Sequence, residues 1–125
     1  MIQYRAMPDY NWNQIQEETL SPLLGRKMIH SRNLTVARIR LNKGAMVPLH
    51  SHANEQMSMI ESGCLRFVVA GAEMTLRAGD VLVIPPDVPH LAEALEDSIA
   101  VDIFSPPRQD WISGNDAYLR NAGRR

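Results

Sequence analysis

Cysteine is almost absent from this chain. Cys64 stands alone, which excludes an intramolecular disulfide and agrees with a reducing compartment. It follows Gly63 at the head of an apolar run and reads as a small buried hydrophobe, with nothing beside it that marks a nucleophile. Lysine is scarce too, with only Lys27 and Lys43. No basic stretch is long enough to line a nucleic-acid groove, and Arg124-Arg125 is too short to serve as one. No apolar run approaches the ~20 residues that cross a bilayer. The segment Met1 to Gln16 is polar and lacks the apolar core of a signal peptide. A cytoplasmic protein with no membrane and no nucleic-acid partner is expected. Helical periodicity, internal repeats and low-complexity segments are also missing, which argues against a parallel α/β fold.

What the chain does have is ordinary bulk composition and many short strand signals. Its 125 residues are 45% hydrophobic and 22% charged, with 13 basic and 14 acidic side chains. That suits one domain able to bury a core without disulfides. Arginine dominates the basic set, which permits an acidic small ligand, since guanidinium binds carboxylates bidentately. The first ~20 residues read as irregular, with Trp12 and Ile15 as anchors. Thr35, Ala37, Ile39 and Leu41 alternate with Arg38 and Arg40, the pattern of a half-buried strand. Further strands are expected over residues 45–52, 56–61, 65–70, 73–77, 81–84, 91–95 and 98–104. Asn42-Lys43-Gly44, Ser62-Gly63, Gly71-Ala72 and Ala78-Gly79-Asp80 turn the chain between them. Pro85 to Pro89 cannot lie inside a sheet, because proline lacks the donor N–H. Pro106-Pro107 ends the strand region, and a short helix is expected near residues 116–121. Short strands at even spacing indicate an all-β sandwich or barrel. Met57 and Met59 line the barrel or meet a second subunit.

The chemistry concentrates in His50, His52, Gln56 and His90. Imidazole is the commonest metal ligand among side chains. Two histidines two apart on a strand share a face, with Cα atoms roughly 6.6 Å apart, and can converge on one ion. The chain must turn at Ala53-Asn54-Glu55 to return Gln56, and His90 arrives from a distant strand after the proline turn. Parity through that turn is lost, so Glu55 competes with Gln56. A lumen face carrying Gln56, Ser58 and Ile60 favours the glutamine. A neutral Gln leaves the ion its full positive charge and makes the site a stronger Lewis acid. One divalent ion is expected, with Zn, Ni, Fe, Mn and Co all suited to such a donor set. His30 sits in no such arrangement and reads as structural or surface.

The segments Gly44-x5-His50-x-His52-x3-Gln56-x6-Gly63 and Gly79-x5-Pro85-x-Asp87-x2-His90 resemble the two motifs of the cupin superfamily. Gln56 stands where that pattern has Glu, Asp87 where it has Gly and Ala94 where it has Asn. The resemblance implies a double-stranded β-helix, or jelly-roll barrel, often a homodimer. A single domain over 1–125 follows, with its core at about residues 33–105, an N-terminal arm over 1–20 and a tail over 109–125. The stretches His50 to Gln56, Ile84 to His90, Asp102 to Trp111 and Gly25 to Ser31 are similar to the KdgF family of pectin-degradation cupins. That likeness implies ring opening and ketonisation of 4,5-unsaturated uronates left by pectin or alginate breakdown. It places metal ligands at His50, His52, Gln56 and His90, and working pocket residues at Asp102, Phe104 and Arg108.

Those three residues also make sense on their own. Asp102 and Phe104 are two apart and share a strand face. A carboxylate inside a barrel costs heavily unless paired or used. Arg108, just past two prolines, suits a carboxylated ligand at a pocket mouth. The competing account pairs Asp102 and Arg108 as a structural salt bridge, and Phe104 as core. At the level of function, the competing expectations are a metal-dependent dioxygenase and a non-catalytic sugar-binding module.

Overall fold

Side-chain alternation sets the inner face of each strand in the computed structural model, which describes residues 7–120. The strands are β1 (Glu18–Ser21), β2 (Leu24–His30), β3 (Thr35–Leu41), β4 (Met46–His50) and β5 (Glu55–Ser62), then β6 (Cys64–Val69), β7 (Ala72–Arg77), β8 (Val81–Ile84), β9 (His90–Ala94) and β10 (Ser98–Ser105). In β3 the buried residues are Thr35, Ala37, Ile39 and Leu41, with Val36, Arg38 and Arg40 turned outward. β5 buries Gln56, Ser58 and Ile60 in the same way. The strands form two antiparallel sheets, ordered β1-β2-β3-β10-β5-β8 and β4-β9-β6-β7. From β3 onward the chain changes sheet at every connection except the β6–β7 hairpin, the winding of a jelly roll. The expected all-β architecture is the one observed.

Register stacks the interior in rungs. Ile84, Gln56, Phe104 and Thr35 lie side by side across four strands of the larger sheet. The next rung is Leu82, Ser58, Asp102 and Ala37. Ile60, Ala100 and Ile39 follow. Opposite them, the smaller sheet pairs Ala94 with Leu65 and Ala92 with Phe67, and Val69 with His90. Below the first two rungs the interior is mostly apolar, with Arg26 beside Ile39 as its buried charged exception. Cys64 is buried in this core, as expected.

Several elements differ from the sequence expectations. The β6–β7 hairpin turns on Ala70-Gly71 and not on Gly71-Ala72, with Val69 opposite Ala72. Both turn residues have positive φ, 49° and 80°. Such a two-residue loop matches the strand twist and puts the glycine second. The N-terminal arm is not irregular throughout. Residues 1–6 lie outside the described residues, Trp12–Gln14 form one 3-10 turn, and β1 begins at Glu18. Trp12 and Ile15 are half-buried. β2 buries Leu24 and Arg26 and pairs with β3 along its whole length. A charged residue at an inward position hid this strand from the pattern.

The tail holds two short helices, α1 (Gln109–Ile112), which was not expected, and α2 (Ala117–Arg120), which was; Asn121, Arg124 and Arg125 lie outside the described residues. Trp111 and Leu119 join the core. Asp116 anchors the segment, because its carboxylate takes hydrogen bonds from buried Arg26 at 2.8 Å and from Arg120 at 2.9 Å. Among the described residues no helix is long and apolar enough to cross a membrane.

Candidate metal centre and adjoining cavity

Three elements bring the histidines together. His50 ends β4 and is the direct Cα partner of His90, which opens β9. His52 lies beyond β4 in the connecting loop, so the pair does not converge by strand alternation as expected. Two bonds hold that loop in place. Asp87 N–H donates to the His52 carbonyl at 2.8 Å, and the Asn54 side-chain amide donates to the Pro106 and Pro107 carbonyls. The chain then re-enters at β5, which turns Gln56 inward and leaves Glu55 exposed. One ligand nitrogen from each of His50, His52 and His90 lies within 4.8 Å of the others.

Hydrogen bonds fix how the rings present themselves. Each histidine uses Nδ1 on a backbone carbonyl two residues away: His50 on Pro48 at 2.7 Å, His52 on Asn54 at 3.0 Å and His90 on Val88 at 2.8 Å. A carbonyl only accepts, so Nδ1 carries the hydrogen and Nε2 keeps its lone pair. Burial holds all three imidazoles below their ordinary pKa, His50 down to about 4, with the Arg108 charge adding to the effect. They are neutral near pH 7, the form that ligates metal.

The donor set fits a cation. His90 Nε2 is buried with no partner among the described residues, a cost of about 1–3 kcal/mol for an unmet polar group. His52 Nε2 lies 3.0 Å from Gln56 Oε1. The Gln56 amide nitrogen is committed to Ser58 Oγ at 2.9 Å. Two lone pairs therefore face each other with no hydrogen between them. A divalent ion accepted by His50, His52, Gln56 and His90 would relieve both problems.

Asp102 sits one rung below Gln56 and Phe104 and lines the same cavity. Its carboxyl is buried and Oδ1 has no partner among the described residues. Burial pushes its pKa up to about 6, although the Ser58 hydroxyl and the Arg108 charge pull it down. Arg108 does not stand at an open mouth. It is 1% exposed, set into the wall. Its backbone N–H donates to Thr35 Oγ1 at 2.9 Å. Its guanidinium grips Asp110 through Nε at 3.0 Å and Nη2 at 2.8 Å, and lies over the Trp111 and Phe104 rings at 4.0 and 4.7 Å. The salt bridge is thus with Asp110, and Asp102 is left without one. Burial works against the Arg108 charge, but the Asp110 hydrogen bonds outweigh it and raise its pKa. Phe104 is buried and packs edge-on against His52 and Trp111.

These groups border one cavity of about 60 Å³, shared by His50, Gln56, His90, Asp102, Phe104 and Arg108. Trp111 and Tyr118 from the tail complete its wall. The Tyr118 ring lies 4.9 Å from that of His50. Sequence patterning offered no signal for Tyr118, because nothing local ties a tyrosine on a short helix to a barrel interior. His30 is exposed and bonds Thr35 Oγ1 at 2.8 Å, away from the cluster.

Comparison with known proteins agrees with this geometry. No curated protein matches the chain. KdgF from Halomonas sp. superposes with a TM-score of 0.80 at 28% identity, over 85% of this chain and 99% of its own. An RmlC-like cupin from Shewanella frigidimarina gives a TM-score of 0.80 at 31% identity, over 85% and 96%. A predicted oxalate decarboxylase from Thermotoga maritima shares the fold, with a TM-score of 0.70 at 21% identity over 77% and 96%. The model of the cupin domain matches residues 37–105. With that match over more than half its length, the chain belongs to the cupin family.

Proposed function

We propose that this protein is a metal-dependent cupin enzyme that opens the ring of 4,5-unsaturated uronates and converts them to the linear keto form. One observation carries the reading: Asp102, a buried carboxyl with an unpaired oxygen and a pKa of about 6, shares a cavity with the histidine cluster. A carboxyl poised near neutrality can both take and give a proton. A divalent ion held by His50, His52, Gln56 and His90 would supply Lewis-acid polarisation of a substrate oxygen.

The chain's own residues supply the rest. Asp102 takes the proton of the anomeric hydroxyl as the ring C–O bond breaks, which leaves an aldehyde and an enolate. It then returns a proton to the enolate carbon, giving the ketone. The step is an isomerisation and consumes no oxidant. Arg108, held rigid by Asp110, fixes the substrate carboxylate through Nη1, which has no partner among the described residues. Phe104 keeps water from the proton's path. The same proposal extends to a homodimer in the cytoplasm, formed on the outer sheet face where Met57, Val81 and Val83 are exposed; sedimentation of a single monomeric species counts against the dimer.

Asp102→Ala tests the reading. The ultraviolet absorbance of the conjugated double bond in 4,5-unsaturated galacturonate reports turnover, and elemental analysis reports metal. We expect turnover to vanish while metal content stays at the wild-type level. Full activity removes Asp102 from the chemistry, and oxygen uptake by the wild-type protein on this substrate points to a dioxygenase instead.

A further inference from the structure

Tyr118 belongs to α2, outside both histidine-bearing segments. Its oxygen accepts from Arg108 Nη2 at 2.8 Å and from Trp111 Nε1 at 3.1 Å. Guanidinium and indole nitrogen are pure donors. The two lone-pair directions of the phenol are therefore taken, and its single hydrogen has no acceptor among the described residues. A polar hydrogen at a cavity wall without a protein acceptor is available to a ligand. Arg108 is in the same position, because Asp110 and Tyr118 engage Nε and Nη2 and leave Nη1. Both residues border the cavity that holds Asp102 and the histidines.

We infer that the Tyr118 hydroxyl and Arg108 Nη1 form a two-donor recognition site for the carboxylate of a small ligand. The tail thus selects the substrate as well as closing the barrel. Two donors on one cavity wall, tied together by the Arg108 Nη2–Tyr118 bond, complement two carboxylate oxygens, whereas a neutral hydroxyl group satisfies only one of them. The hydrogen bond between the guanidinium and the phenol oxygen fixes the spacing of the pair. Asp116, bound by Arg26 and Arg120, sets where α2 lies and so where Tyr118 stands. The inference rests on the uronate reading for its choice of probe and on the donor geometry for everything else.

The experiment is calorimetric titration of the purified protein with galacturonate and with galactose, for wild type and Tyr118→Phe, with metal content measured on both. Phenylalanine keeps the ring against His50 and removes only the hydroxyl. Loss of a hydrogen bond to a charged group predicts roughly 10- to 100-fold weaker galacturonate binding. Metal content and any galactose affinity should stay unchanged. A variant-free measurement accompanies it: galacturonate should red-shift tyrosine absorbance in the wild type, and galactose should not. Equal galacturonate affinity in the two proteins, or no tyrosine shift on binding, overturns the Tyr118 assignment and leaves the uronate reading intact. Weakened binding in the variant, with no turnover of the unsaturated uronate by wild type, supports Tyr118 and overturns the enzymatic reading. Failure of the wild type to bind galacturonate overturns the carboxylate site, and the enzymatic reading falls only if the unsaturated uronate is not turned over either.

Discussion

Replacing Asp102 by Asn should stabilise the metal-free protein above pH 6 and not below pH 4. The carboxyl is buried with one oxygen unpaired, and its pKa rises from 3.8 to about 6. Between those values the folded chain keeps a proton that the unfolded chain has released. Asp102 therefore contributes stability that falls as pH rises through this window. A difference of 2.2 units, 6 minus 3.8, corresponds to about 3 kcal/mol at 1.36 kcal/mol per unit. The histidines act in the opposite sense. Their folded pKa values lie below the ordinary 6.5, His50 at about 4, so they add stability as pH rises through the same range. They are present in both proteins and cancel in the difference. The assay is urea unfolding of chelator-treated wild type and Asp102→Asn at intervals from pH 3.5 to about pH 8, where Asp102 has passed its titration. The stability of the variant relative to wild type should climb by about 3 kcal/mol, most of it between pH 4 and pH 6. Any constant offset from the amide is subtracted by this design. A flat difference refutes the account, since the carboxyl would then titrate as in the unfolded chain. A falling difference means that the barrel favours the ionised form.

Three further outcomes are expected. Zinc at 100 times its dissociation constant should stabilise the wild type by about 2.7 kcal/mol; His90→Ala should abolish that shift in a thermal melt and empty the protein of metal by elemental analysis. Ala70→Asn should raise stability by about 1 kcal/mol in urea unfolding, because Ala70 holds φ at 49° in a turn that suits asparagine. Asp116→Asn should cost about 3 kcal/mol by the same measurement, because it strips the buried partner from Arg26; a loss below 1 kcal/mol means that Glu18, 3.0 Å away and half-exposed, suffices.

How far the molecule was legible depended on how local each signal was. β3 could be read because its alternation is complete within seven residues. Gln56 could be separated from Glu55 only as a matter of face, and the fold shows why: β5 starts on the far sheet, so parity restarts there. β2 was invisible because its inward Arg26 looks like a surface charge until Asp116, 90 positions away, is known to meet it. For Arg108 the sequence leaves a ligand role and a salt bridge both open, and the ion pair that forms is with Asp110 and not with Asp102. Asp110 is two residues away and grips it from the side, whereas Asp102 faces a different rung. Tyr118 escaped for the same reason as β2, because its neighbours are set by the docking of a segment and not by its own sequence.

The Arg26–Asp116 bond also bears on synthesis. A chain made from its N-terminus lays down β2, with its inward guanidinium, long before residue 116 exists. Until then Arg26 has only the half-exposed Glu18 for company, and closing the barrel around it would bury a charge with half its compensation missing. Closing the barrel therefore costs less once the segment that carries Tyr118 has been made. Chains truncated before Asp116 are expected to be cut by protease faster than the full chain, and equal resistance would mean that Glu18 alone suffices for Arg26.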